Sequence, residues 1–403
     1  MRPSRNSRNI DEEGNPQDKM IEQLNRKARY LFAVWVVGGN KTVLLNLKSG
    51  IRERPNMRIA WLPIEMYPKD WITRIPPISL LGVWRNSAAT WLRIRPLERE
   101  LGGFDAAYYL GYSIVTFLWR FRRRVPYALA LDLTPLWAAR NELWYALPKF
   151  NPASAASRLK HVVTRSVFAQ ASHLLPFSTG VRDSLIHDYG IPSERITVLP
   201  PGVDLRIWHL TKEDIDARER RKGPVRVVFV GRDFLRKGGD LLLKLAGSKE
   251  FSEVEFHFVT DSFEGPAPGN VFVHNSFQEN SPELIGAYRD ADIFMLPTRA
   301  DTYSWATLEA MAMGLPVIVS EVGGIGDIVI EGKTGFLVRP DDLDALTRRL
   351  QTLVEDPRGR REMGMRGRRR VEEQFDLARS TETVMTLLKS ISTNGGRRKT
   401  SYR

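Results

Sequence analysis

The chain has 403 residues, 42% of them hydrophobic and 27% charged, which suits two globular domains of ordinary size. It contains no cysteine, so disulfides and cysteine-ligated zinc are excluded, and a reducing compartment such as the cytoplasm is expected. The net charge of +13 points to anionic partners: phosphorylated substrates, anionic lipid or nucleic acid.

Residues 1–28 are polar, with Pro, Gly and Asn, and read as a disordered tail without a secretory signal. From Tyr30 the run YLFAVWVVGG is continuously apolar and ends in Gly38-Gly39, as a buried parallel strand would. Similar runs start at Met57, Asp105, Val125, His173 and Ile196. Between them, segments from Ser154 and Thr179 space their apolar residues at helical intervals, the second ending at Gly190. Strands alternating with helices predict βαβ units and a parallel sheet. The charged stretch Lys212 to Pro224 has no apolar face and reads as a linker. The βα rhythm then restarts, so two doubly wound domains are expected in succession. The longest charge-free run, between Asp105 and Arg120, falls short of the roughly 18 apolar residues that span a bilayer.

Two segments carry chemistry. FVGRDFLRKGGDLLLKLAG, from Phe229, reads as strand, loop and helix. Gly231 allows a tight turn, Arg232 and Lys237 flank it, and Gly238-Gly239 open a helix whose free N–H groups favour anions. Alone, this pattern also fits a βα turn with two solvated cations. The second segment runs from Pro297 to Gly324, with a strand ending at Leu296 and a helix starting near Ser304. Asp301 precedes that helix and Glu309 lies two turns inside it. Both can face the cleft at the carboxyl ends of the strands, where open α/β sheets bind ligands. Two carboxylates there suit the hydroxyls of ribose or hexose. The alternative is an N-cap aspartate and a solvated glutamate.

Together these motifs resemble the retaining glycosyltransferase family 4, whose members have the GT-B fold: α/β, with two Rossmann-like, doubly wound parallel-sheet domains facing a cleft. The family's G-R-x-x-x-x-K-G loop, which holds the donor diphosphate, is matched by Gly231, Arg232, Lys237 and Gly238. Its E-x7-E motif, binding donor sugar and ribose, is matched by Asp301 and Glu309, with Tyr303 in place of Phe and Ser304 in place of Gly. Trp305 follows in the same donor-binding stretch. A later G-G-x-x-E turn is matched by Gly323-Gly324-Ile325-Gly326-Asp327. Gly38 and Gly39 match the family's acceptor or phosphate loop. Asp132 stands where many relatives place a functional histidine; it either substitutes for that residue or caps the following turn.

The resemblance implies an acceptor-binding domain over 29–206, a linker over 207–224 and a donor-binding domain over 225–372. A helix over 373–391 then returns to the first domain, and a basic tail covers 392–403. It implies retaining transfer, of a hexose in this reading, from a nucleotide sugar to a lipid-linked sugar, a polysaccharide or a small molecule. Arg232, Lys237, Asp301 and Asp132 are the expected catalytic residues. No cofactor or metal is expected, because cations already hold the diphosphate. A P-loop is rejected: Asn40 precedes Lys41 where glycine is required. The alternatives are a non-catalytic nucleotide-sugar-binding protein and a basic nucleic-acid-binding protein. The arginine-rich segments from Arg120 and Arg366 carry no groove-reading motif for the latter. RFRRR beside Trp119 and Phe121, with Trp84, Trp91, Arg93 and Arg95 upstream, makes the cytoplasmic face of an anionic membrane a further expected partner.

Overall fold

A computed structural model describes residues 27–36, 39–51, 55–65, 82–141, 154–275 and 277–400. The expected tail up to residue 26, and Gly38, lie outside these residues. The first sheet holds five parallel strands in the order β2-β1-β3-β4-β5: β1 Ala28–Val36, β2 Met57–Glu65, β3 Ala106–Leu110, β4 Tyr127–Leu131 and β5 His173–Pro176. The second holds six, in the order β11-β10-β9-β6-β7-β8: β6 Val225–Val230, β7 Val254–Val259, β8 Val271–His274, β9 Ile293–Leu296, β10 Val317–Ser320 and β11 Gly335–Val338. The pairings are parallel throughout, and β3, β4, β9 and β10 are buried along their whole length. Helices on both faces explain why these strands read as unbroken apolar runs. Phe32 and Phe229 anchor the two sheets at 0% exposure, each burial stabilising the fold by about 1.5–3 kcal/mol.

The strand orders fix where ligands can bind. In the second sheet the chain winds outward from β6 in one direction and from β9 in the other, and these two strands are neighbours. The crevice therefore opens between the carboxyl ends of β6 and β9. The first sheet reverses in the same way between β1 and β3.

Three stretches differ from the sequence reading. Lys212–Arg220, inside the stretch read as a linker, is a helix, closed by a reciprocal capping box between Thr211 and Asp214. It lacks an apolar face because its contacts are polar: Arg218 donates to the carbonyls of Met313, Tyr288 and Arg289 at the ends of two other helices. At the C-terminus, Pro357–Gln374 and Leu377–Thr400 are separate helices that break at Phe375-Asp376. There Val203 exchanges backbone hydrogen bonds with Phe375 (2.8 Å) and Leu377 (3.0 Å), so first-domain backbone is stitched to the turn. The second helix packs on the helix Asn40–Gly50 and on β3 and β4. It continues to Thr400, into the stretch expected to be a basic tail.

The arginine-rich stretches are the third difference. In the helix Pro357–Gln374, Arg360 donates to Leu353, Arg366 to Lys333, Arg368 to Trp208 and Ala312, and Arg370 to Asp327 and Ile328, all at backbone carbonyls. These guanidiniums satisfy carbonyls left free at helix ends and in turns. The charge that suggested nucleic acid is thus partly internal scaffolding. Arg122 is likewise buried, with a donor on the Thr116 carbonyl at 3.1 Å, and is not part of a basic surface.

Candidate active site at the domain cleft

β6 ends at Val230, and Gly231 leads into a tight turn in which Lys237, Gly238 and Gly239 donate back to Asp233, Leu235 and Phe234. Gly238 is left-handed (φ +79°), and a Cβ there would lie 2.1 Å from the Pro297 carbonyl oxygen. Only glycine fits both requirements. The helix Gly239–Ala246 follows directly.

The loop after β9 is sewn to this turn. The Arg299 amide donates to the Arg236 carbonyl (2.8 Å), and the Arg236 guanidinium donates to the Ala300 carbonyl (2.8 Å). Arg299 forks onto Asp240 at 2.7 and 2.8 Å, tying this loop to the first turn of the glycine-led helix. The adjacency of β6 and β9 thereby brings the two sequence motifs together.

Each flanking cation meets a carboxylate. Lys237 pairs with Asp301, and both side chains are largely buried. Arg232 is exposed and pairs with Glu279 at 2.6 Å. Ser304 caps the helix Trp305–Ala312, its hydroxyl accepting from the Thr307 amide at 3.3 Å. Glu309, 7% exposed, accepts from the Tyr288 hydroxyl at 3.1 Å. Burial pushes its carboxyl up to about 7, the Tyr288 hydrogen bond opposing the shift and the charge of Glu279 adding to it. The alternative of a solvated helix glutamate is therefore removed. Tyr303 is buried, its ring edge-on to Phe177 of the first domain.

The first domain closes over this surface. Asp132, half-buried just beyond β4, accepts from the Thr302 hydroxyl at 3.4 Å. Burial raises its carboxyl to about 6, with backbone and Thr302 hydrogen bonds opposing and the nearby Asp301 charge assisting. The helix after it, Pro135–Arg140, is capped by Thr134, so Asp132 is not its N-cap. Gly39 lies against Trp305, where a Cβ would sit 2.6 Å from the indole ring. Asp327, from the later glycine turn, does not join the charged cluster. It binds the Thr179 amide and hydroxyl at 2.5 and 2.7 Å and so links the domains.

The structure thus gathers Arg232, Lys237, Asp301 and Glu309 at one switch point, with Asp132 opposite. Sequence reasoning missed Glu279, Tyr288 and Lys41, which pairs with Glu279 at 2.9 Å. Lys41 was visible only as part of a failed P-loop. Glu279 sits in a loop with no motif of its own. Among the described residues, no group of three or more His, Asp or Glu side chains is placed to hold a metal ion, and no helix is long and apolar enough to cross a membrane.

Residues 224–356 match the family model for glycosyl transferases group 1. A D-inositol 3-phosphate glycosyltransferase of Paenarthrobacter aurescens is 26% identical over 56% of this chain and 62% of its own length. An MMP alpha-(1->4)-mannosyltransferase of Mycolicibacterium hassiacum is 28% identical over 57% of this chain and 56% of its own. The chain therefore spans little more than half the length of these relatives. Among solved structures, sucrose-phosphate synthase of Thermosynechococcus elongatus superposes with a TM-score of 0.68 at 18% identity, covering 92% of this chain and 100% of the other. HepE of Anabaena, in complex with UDP, gives 0.66 at 16%, covering 90% and 100%. The fold is GT-B.

Proposed function

From the match of residues 224–356 to the model for glycosyl transferases group 1, we propose that the chain is a retaining glycosyltransferase that moves a hexose from a nucleotide sugar to an acceptor hydroxyl. The observation that carries this reading is the pair of cations, Arg232 and Lys237, each held by a carboxylate at the β6–β9 switch point. A donor diphosphate would exchange with those carboxylates and gain two charge-assisted contacts. Glu309 then receives the ribose hydroxyls, and Asp301 the donor sugar.

In the reaction, the bond from the anomeric carbon to the diphosphate oxygen breaks and its electron pair stays on that oxygen. The acceptor hydroxyl attacks from the same face, and its proton passes to the departing phosphate oxygen. Negative charge grows on the diphosphate, so Arg232, Lys237 and the free N–H groups at the start of the helix Trp305–Ala312 act most strongly in the transition state. Asp132 faces the acceptor side, where its carboxylate would orient the incoming hydroxyl. These cations supply the charge that a metal would otherwise bring, and the reading needs no cofactor.

A nucleotide-sugar panel tests this. UDP-glucose is the first candidate, since HepE has been solved with it. One donor should raise the melting temperature by mass action, and incubation with acceptor extracts should then release nucleoside diphosphate. Stabilisation without turnover would favour a binding protein instead.

The partner reading also sharpens. Trp91, Phe117 and Trp119 are exposed, with Arg95 stacked over Trp91 and Arg120 and Arg123 over Trp119. The Trp84 side chain lies outside the described residues. Apart from the buried Arg122, residues 82–125 hold seven arginines against three carboxylates. Such a surface suits anionic lipid, each cation contributing about 1 kcal/mol. Liposome sedimentation should show binding that grows with anionic lipid and falls when Arg120 and Arg123 become Ser; a protein that stays in solution at low salt refutes it.

A further inference from the structure

Lys41 and Glu279 belong to neither sequence motif, yet they meet at the mouth of the cleft. Lys41 lies in the first turn of the helix Asn40–Gly50, and its Nζ is 2.9 Å from one Glu279 oxygen. The other oxygen accepts from Arg232 at 2.6 Å. One carboxylate thus bridges a cation from each domain.

The carboxylate is firmly placed. Its neighbour Asn280 is left-handed (φ +60°), a conformation that asparagine tolerates better than most residues, and the buried Trp208 indole donates to the Asn280 side chain at 3.1 Å. Ser281 then caps the helix Pro282–Arg289. The Glu279 side chain is 18% exposed, whereas Lys41 and Arg232 are 53% and 65% exposed. A largely buried anion therefore bridges two exposed cations. The contact of Gly39 with Trp305 sets the Lys41 lip against the start of the helix Trp305–Ala312.

We propose that Lys41 is a third cation for the donor diphosphate, supplied across the cleft by the first domain, and that Glu279 holds it beside Arg232 until the diphosphate replaces that carboxylate. This rests on the nucleotide-sugar reading above. A diphosphate carries more charge and more acceptor oxygens than a carboxylate, so it outcompetes Glu279 for the same two donors. Donor binding then bridges the two domains through its own phosphates. The leaving group is thereby held from both sides of the cleft.

Calorimetry on the full chain tests this, using UDP, GDP and ADP and the matching nucleosides. Lys41→Gln should weaken whichever diphosphate binds the wild type by about tenfold. It should leave the nucleoside unchanged, and Lys41→Arg should restore most of the loss. Glu279→Gln should tighten the diphosphate a few-fold, because the competing charge is gone while the shape remains. Lys41→Gln binding within about twofold of wild type overturns the proposal. So does a Glu279→Gln variant that weakens diphosphate and nucleoside alike, which would make Glu279 a nucleoside ligand. If no nucleoside diphosphate binds the wild type, the nucleotide-sugar reading itself fails and takes this proposal with it. Both side chains lie at the cleft mouth, and matching thermal melts identify variants that fold as the wild type does.

Discussion

The loop after β6 and the loop after β4 face one another across the cleft, and they are built differently. The β6 loop is a glycine turn in which each cation has a carboxylate partner and the backbone is bonded to the loop after β9. The β4 loop presents Asp132 with one long side-chain contact, to Thr302 of the other domain. The difference teaches where rigidity is needed. The diphosphate is common to all nucleoside-diphosphate sugars, so its site can be preorganised before it arrives. An acceptor hydroxyl comes from chemically varied molecules, and on its side of the cleft Asp132 is held by backbone hydrogen bonds of its own loop together with Thr302 of the other domain.

Removing the paired cations should have the largest effect. Arg232→Ala and Lys237→Ala should each lower turnover by about 100-fold or more. Thermal melts should separate them. Lys237→Ala leaves Asp301 buried without its cation and lowers the melting temperature, whereas Arg232 is exposed and its loss should not. If neither variant loses activity, the diphosphate does not bind at the β6 turn.

Next in size, Asp132→Asn should lower turnover by about 10- to 100-fold while leaving nucleoside diphosphate affinity unchanged. Because the Asp132 carboxyl is raised to about 6, wild-type turnover should climb as pH rises through that value. The variant should lose this limb, and an unchanged pH profile would remove Asp132 from the reaction.

Gly238→Ala tests the backbone itself. A Cβ against the Pro297 carbonyl at positive φ should destabilise the protein by about 1–3 kcal/mol, read by denaturant melts. A silent substitution would mean that the β6 turn relaxes without cost.

Glu309→Gln should produce the smallest change, weakening nucleoside diphosphate by about tenfold. Its stability effect has a definite sign. Folding raises the Glu309 carboxyl to about 7, so its contribution to stability is full below the ordinary carboxylate range and is lost as pH rises through 7. The variant should therefore melt above wild type at pH 8, and the gap should close as pH falls toward the ordinary glutamate value. A gap that widens on acidification would contradict the assigned burial.

Much of the second domain was legible in the sequence because its requirements are local. Gly238 is demanded by a turn within one βα unit, and Ser304 caps the helix that it precedes. The first domain was legible as strands but not as a site, since Asp132 matches by position alone. The places of Arg122, Arg366, Arg368 and Arg370 were not legible for one reason: charge in a sequence does not say whether a guanidinium meets water or a carbonyl. The helix Lys212–Arg220 lacked an apolar stripe because Arg218 holds it by hydrogen bonds.

Local pattern along the chain suffices for two parallel α/β domains and for the positions of the donor motifs, because buried strands need apolar runs and a phosphate-facing turn needs glycine. Tertiary structure alone decided which carboxylate faces which cation. Lys41, Arg232 and Glu279 come from three separate segments and both domains, and they meet only because the domains close on one another at the carboxyl ends of their sheets. Such pairings depend on strand order and domain closure, which no local pattern along the chain encodes.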